Sequence, residues 1–384
     1  MDERKRINIV VGGTFHFPMM LNNLLELGYD VHVYTSTPKF KFKTRFDLGQ
    51  MTTVLKPFQL FQKITNIRVP RWADTIDEFF FDYLVSRVMR RCDILIAFQN
   101  AAIYTSQKAK AQGSIVLLDR ACPHAIEVSN RLYKEAKKIN VHFEMPKNRQ
   151  LTRYAKEYEV ADLILVPSNY SLNSFIRMGV GKEKLVKVPL SAKIDVPKEI
   201  PNHPKKLVFG MIGSDFLRKG VYYLIKAFDI ADVGDAKLIL NIPKKSVLAH
   251  HELKKIVDGN QNIEFCGYLE DVNDFYKMCS VFCLPSIDDG FGMVVCEAMA
   301  NGLPVITTDC VGASEFIQNF HNGFVVKAGD TEALARSLTH FYEEPESKTI
   351  MGKNGREIYL AYDQSGYSYK SQLQFLLQEL LEGR

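Results

Sequence analysis

The sequence predicts an α/β protein made of two Rossmann-like domains that face each other across a cleft. Three observations predict it. Residues 7–11 form a short β-branched run ended by Gly12-Gly13. A helically spaced apolar stretch follows over about residues 18–27, then Gly28, then a second strand at 31–35. That is the opening of a parallel α/β unit. The chain has 384 residues, more than one core usually organises. The alternation also breaks once, over residues 191–206, where Pro197, Pro201 and Pro204 stand among lysines without apolar periodicity, and then restarts.

Further units follow in order. Residues 93–98, 114–119 and 163–167 read as buried strands, with a helical stretch over 148–160. Ser168 suits the N-cap of a helix through Met178. Residues 186–189 close the first half. The expected domains are therefore 1–190, a linker at 191–206, 207–365, and a C-terminal helix at 366–384 with the option of packing back on the N-terminal domain. In the second half, 207–212, 237–242, 263–265, 281–284, 305–307 and 324–326 read as strands. Residues 221–231, 331–341 and 367–381 carry helical periodicity.

Composition narrows the function. Hydrophobic content of 46% and charged content of 24% are those of a soluble globular chain. A net charge of +5 is too mild to imply nucleic-acid binding, and no nucleic acid is expected as a partner. Seven scattered cysteines, several inside apolar runs, read as reduced thiols of a cytoplasmic protein. Cys279 and Cys283 have no second ligand pair at metal spacing, so no metal site is expected. The N-terminus fits no signal peptide, and no apolar run is long enough to span a bilayer.

The chemistry concentrates in residues 285–315, PSIDDGFGMVVCEAMANGLPVITTDCVGASE. The pattern is a strand, a glycine-bearing loop, a helix, a turn and another strand. Gly290 and Gly292 let backbone approach a ligand closely, and the helix N-terminus offers N–H groups that suit phosphate. Asp289 and Glu297 lie on roughly one side, a little over two helical turns apart. Ionised carboxylates only accept hydrogen bonds, which suits sugar and ribose hydroxyls.

This stretch resembles the donor-site signature of retaining glycosyltransferase family 4, the glycosyl transferases group 1, whose fold is the two-domain GT-B arrangement. Glu297-Ala298-Met299-Ala300-Asn301-Gly302-Leu303-Pro304-Val305 carries the resemblance. It implies that Glu297 holds the ribose of a nucleotide diphosphate sugar. Asp289 would contact the transferred sugar, with Gly290, Phe291 and Gly292 nearby. The family has Glu where this chain has Asp289, which shortens the reach by about 1.5 Å. Residues 209–228 resemble the diphosphate-binding turn. Lys219 takes the place of the neutralising lysine with Arg218 beside it, while the usual Gly-Arg dipeptide is Gly213-Ser214. Such cations can replace a metal ion, and no cofactor is implied.

On the first-domain side the resemblance puts Gly12 and Gly13 opposite the donor phosphates. It makes His124, in the loop after residues 114–119, a catalytic candidate near sugar and acceptor. His16, close to Gly13, is a lesser candidate. Residues 39–46, KFKFKTRF, place four cations on one face of an extended segment and three aromatics on the other. That pattern suits an anionic membrane surface or a half-buried strand. The implied reaction moves a sugar, from a UDP-sugar by preference, to a glycan or lipid-linked acceptor hydroxyl. The enzyme would be cytoplasmic or peripheral at the inner face of a membrane. The alternatives are a sugar-nucleotide epimerase on the same fold and a non-catalytic GT-B partner subunit.

Overall fold

The computed structural model describes residues 5–13, 15–37, 50–65, 71–192 and 194–382. The basic and aromatic segment 39–46 lies outside them.

Thirteen strands form two sheets. The first sheet holds β1 (Arg6–Val11), β2 (Asp30–Thr35), β3 (Met51–Thr53), β4 (Ile94–Phe98), β5 (Ile115–Asp119), β6 (Leu163–Val166) and β7 (Leu185–Lys187). Their order is β3-β2-β1-β4-β5-β6-β7, and every pairing is parallel. The second sheet holds β8 (Val208–Ile212), β9 (Lys237–Asn241), β10 (Ile263–Phe265), β11 (Val281–Leu284), β12 (Val305–Thr308) and β13 (Gly323–Val326). Their order is β10-β9-β8-β11-β12-β13, again all parallel. Strands covered by helices on both faces lose the polar alternation of a half-exposed sheet. Accordingly all of β4, β11 and β12 is buried.

The strand order decides where a ligand fits. The order in which strands are added reverses between β1 and β4 in one sheet and between β8 and β11 in the other. In open parallel sheets the crevice lies at that switch, beyond the carboxyl ends of the strands. The loops after β1, β5, β8 and β11 all leave from such ends.

The described residues between 191 and 206 contain neither helix nor strand. Past the second sheet, the helix Ser347–Asp363 turns the chain home. Its Tyr359 hydroxyl accepts from the Ala192 N–H, and its Tyr362 hydroxyl donates to the carbonyls of Pro189 and Leu190. The helix Tyr369–Glu382 then packs on the first-domain helix Phe17–Glu26, with Lys370 paired to Glu26 at 2.5 Å. One apolar cluster runs from Ile9 and Phe17 through Leu373 and Leu377 to Tyr359, Met299 and Val295. The domains therefore share a core. The sequence reading does not place the helices Pro57–Thr65 and Arg71–Val88.

Candidate functional site

The loops after β8 and β11 are built as one unit. The Arg218 carbonyl accepts from the N–H of Ile287 at 2.9 Å. Gly220 has φ +69°, and a Cβ there would lie 1.9 Å from the Pro285 carbonyl oxygen, so no side chain fits. This close approach brings Lys219 to Asp289. Lys219 Nζ lies 2.5 Å from Asp289 Oδ2, with both side chains nearly buried. Arg218 Nη1 stands 3.9 Å from Asp289 Oδ1 and donates to the Asp288 carbonyl at 3.4 Å.

The two neighbouring acids titrate in opposite directions. Burial pushes Asp289 up, but Lys219, Arg218 and the Phe291 N–H outweigh it and hold the carboxyl below its ordinary value. Burial pushes Asp288 up to about 6, with Asp289 adding to the rise against the bond from Tyr170. The Tyr170 hydroxyl donates to Asp288 Oδ1 at 2.5 Å, across the domain boundary.

The loop after β11 is pressed against the first domain. The Gly290 carbonyl accepts from Ser168 Oγ at 2.6 Å and from Ser171 Oγ at 3.1 Å. A Cβ on Gly290 would lie 2.2 Å from the Ala121 carbonyl oxygen and 2.6 Å from Cys122 Cα. Gly292, at φ +82°, begins the helix Met293–Ala300. The Phe291 ring is buried against Phe316, so its contribution toward the cleft is backbone. Glu297, further along that helix, is buried and accepts from the Tyr276 hydroxyl at 2.7 Å.

On the opposite side, Gly12 and Gly13 make room for side chains of this chain. A Cβ on Gly12 would lie 3.1 Å from Lys56 Nζ, and one on Gly13 would lie 2.9 Å from the Phe15 ring.

The sequence reading made His124 a catalytic group. The structure clasps its ring in the first domain, 4.9 Å from Tyr158 and 5.2 Å from Phe175. Burial, aided by Arg120, pushes its pKa down to about 4, so the ring is neutral. Its Nδ1 is buried and has no hydrogen-bond partner among the described residues. Arg218, Lys219 and Asp289 do come together, and Glu297 lies along the same segment. Sequence reasoning missed Tyr170 and Asp288. The Asp288-Asp289 doublet was their only local signal.

Two facing domains of parallel sheet, with the charged loops between them, are the GT-B fold. Solved structures agree along the whole chain. Sucrose-phosphate synthase of Thermosynechococcus elongatus superposes with TM-score 0.73 at 18% identity, covering 99% of this chain and 100% of that one. HepE of Anabaena, solved in complex with UDP, superposes with TM-score 0.69 at 16% identity, covering 98% and 100%. Residues 193–358 match the family model described as glycosyl transferases group 1. Among sequence relatives, the putative glycosyltransferase EpsD of Bacillus subtilis is 32% identical over 116 residues, which is 30% of each chain. The likeness to that relative thus spans less than a third of its length.

Proposed function

We propose that this chain is a glycosyltransferase that moves a sugar from a nucleotide diphosphate sugar to a glycan or lipid-linked acceptor hydroxyl, with retention of configuration. The observation that carries the reading is the Arg218–Lys219–Asp289 cluster at the ends of β8 and β11, where an open parallel sheet binds its ligand. A departing diphosphate gains negative charge, and two fixed cations in a dry site stabilise it without a metal ion. Asp289 holds Lys219 in place beforehand and is free to turn to a sugar hydroxyl once the diphosphate takes the ammonium. Glu297 receives the ribose, and UDP is the favoured nucleotide, a choice supported by the UDP of the HepE complex.

In this reading residues 1–190 bind the acceptor and 207–365 the donor. The first domain also meets an anionic membrane surface. No helix among the described residues is long and apolar enough to cross a membrane. The helix Pro57–Thr65, downstream of segment 39–46, does expose Leu60, Phe61 and Ile64, the last at 75%. Apolar insertion beside basic residues favours interfacial binding. Flotation with anionic vesicles at low salt should carry the protein upward, and protein left at the bottom refutes this part.

The main test is thermal-shift screening against uridine, guanosine and adenosine diphosphate sugars. A ligand at 100 times its dissociation constant adds about 2.7 kcal/mol. Lys219→Ala and Glu297→Ala should each abolish the shift or the turnover. Full turnover in both variants would overturn the site.

A further inference from the structure

We propose that His16 is the base for the acceptor hydroxyl, that Asp119 orients it, and that Tyr369 binds the same hydroxyl. The proposal rests on the transferase reading and adds the acceptor half of the site. The three side chains come from distant parts of the chain: the loop after β1, the last residue of β5, and the first turn of the C-terminal helix.

Phe15 adopts φ +26°, unusual for a bulky residue, and its ring lies 6.1 Å from Phe98. Held backbone of this kind concentrates at functional sites. The next residue, His16, is 5% exposed, with its ring 5.1 Å from Phe98 and edge-on to Tyr369 at 6.3 Å. His16 Nε2 lies 3.0 Å from Asp119 Oδ2. An ionised carboxylate accepts only, so the Nε2 proton belongs to that bond. Nδ1 is left as the lone-pair nitrogen, and it has no partner among the described residues.

Tyr369 is the second observation. It is 3% exposed, and its hydroxyl has no hydrogen-bond partner among the described residues. A buried, unsatisfied hydroxyl is costly, so its presence points to a partner that comes and goes. His16, Asp119 and Tyr369 line a cavity of about 10 Å³, room for one water or one hydroxyl.

His16 also lines a second cavity, of about 400 Å³, with Asn22, Asn23, Glu26, Asp195 and Met293. That volume suits a small-molecule ligand. Amides and carboxylates suit the hydroxyls of a sugar or polyol and disfavour an anionic group. Met293 directly follows Gly292, so the cavity opens onto the donor segment. The charged groups around the dyad are Asp195 after the first domain and, on the flanking helices, Glu26 with its partner Lys370.

The step balances. The acceptor O–H bond breaks and its proton passes to His16 Nδ1. The acceptor oxygen bonds to the anomeric carbon on the face that the diphosphate leaves, as the bond from that carbon to the diphosphate oxygen breaks, so configuration is retained. The nucleoside diphosphate leaves with the electron pair, and the imidazolium returns its proton to solvent.

The test uses the full chain with UDP-, GDP- and ADP-glucose, water or glycerol as acceptor, and nucleoside diphosphate release as readout. His16→Gln should lower release by about 10²–10⁴-fold. It should leave the nucleotide-induced thermal shift unchanged and erase the acid limb of the pH–rate profile. Asp119→Asn should show the same pattern, because it acts through His16. Tyr369→Phe removes a hydroxyl that nothing satisfies, so it should keep or raise Tm while raising KM for glycerol. A structural role would move stability instead. If His16→Gln releases nucleotide within twofold of the parent across the pH range, the proposal fails. It fails equally if the parent binds nucleotide yet never turns over with either acceptor. Absence of any nucleotide binding to the parent would instead sink the donor reading.

Discussion

The two domains share a six-strand order, to which the first adds β7, and they use their buried charges in opposite ways. In the first, Asp82 is fully buried and accepts from the N–H groups of Ile103, Tyr104 and Thr105, from Thr105 Oγ1 and from Arg153. Glu157 accepts from the N–H groups of Asn100 and Ala102, and burial, opposed by Arg153, pushes it up to about 8. These charges tie down one loop of their own domain. In the second domain, Arg218 and Lys219 both face Asp289 at the cleft, with one further bond from Arg218 to the Asp288 carbonyl and one from the Phe291 N–H to Asp289. A buried charge committed to backbone is scaffold, whereas a charge paired with another movable charge can exchange partners. That difference, more than burial, is what supports the proposed site in the loops after β8 and β11.

Substitutions can break the comparison, taken from the largest expected effect downward. Lys219→Ala should lower turnover by about 10²–10³-fold, the usual loss for one transition-state donor. It also leaves buried Asp289 with only Arg218 and the Phe291 N–H, a destabilisation of up to about 3 kcal/mol. Asp82→Ala should cost a similar amount of stability, and kinetics per folded molecule should barely move. Equal kinetic loss in both variants would erase the distinction between scaffold and site. Gly290→Ala forces backbone apart between the domains and should cost about 1–3 kcal/mol, read as a fall in Tm.

A subtler effect concerns Asp288. Its folded pKa, about 6, stands above the ordinary carboxylate value, so the folded chain binds the proton more tightly than the unfolded chain does. Its contribution to stability therefore grows as pH falls through 6 and levels off near the unfolded value. Asp288→Asn should flatten the difference in Tm between pH 7 and pH 5. A difference equal to the parent's would show that Asp288 is not the group responsible. At the bottom of the scale, Lys254→Ala breaks an exposed pair with Asp258 and should change stability by less than about 0.5 kcal/mol.

Much of this was legible in the sequence because it is local. The β-branched runs gave the buried strands, and Ser168 does cap its helix, accepting from Ser171 N–H at 3.1 Å. The motif around Asp289 and Glu297 lies within one strand–loop–helix unit. The acceptor side was not legible for the opposite reason. His16 meets Asp119 across 103 residues, and Tyr369 arrives from the far end of the chain. No spacing rule links such positions. His124 attracted notice because it follows a strand end, but only packing could show which way its ring turns.

The return of the chain to its first domain has a consequence during synthesis. Domains usually fold in turn as they leave the ribosome, the N-terminal one first. Here the surface of the helix Phe17–Glu26 waits for Leu373 and Leu377, and Glu26 meets Lys370 across 344 residues. The first domain therefore emerges with an apolar face uncovered until nearly all of the second has been made. A nascent chain stalled before residue 369 would hold the whole donor sheet and still lack the last wall of the His16 pocket.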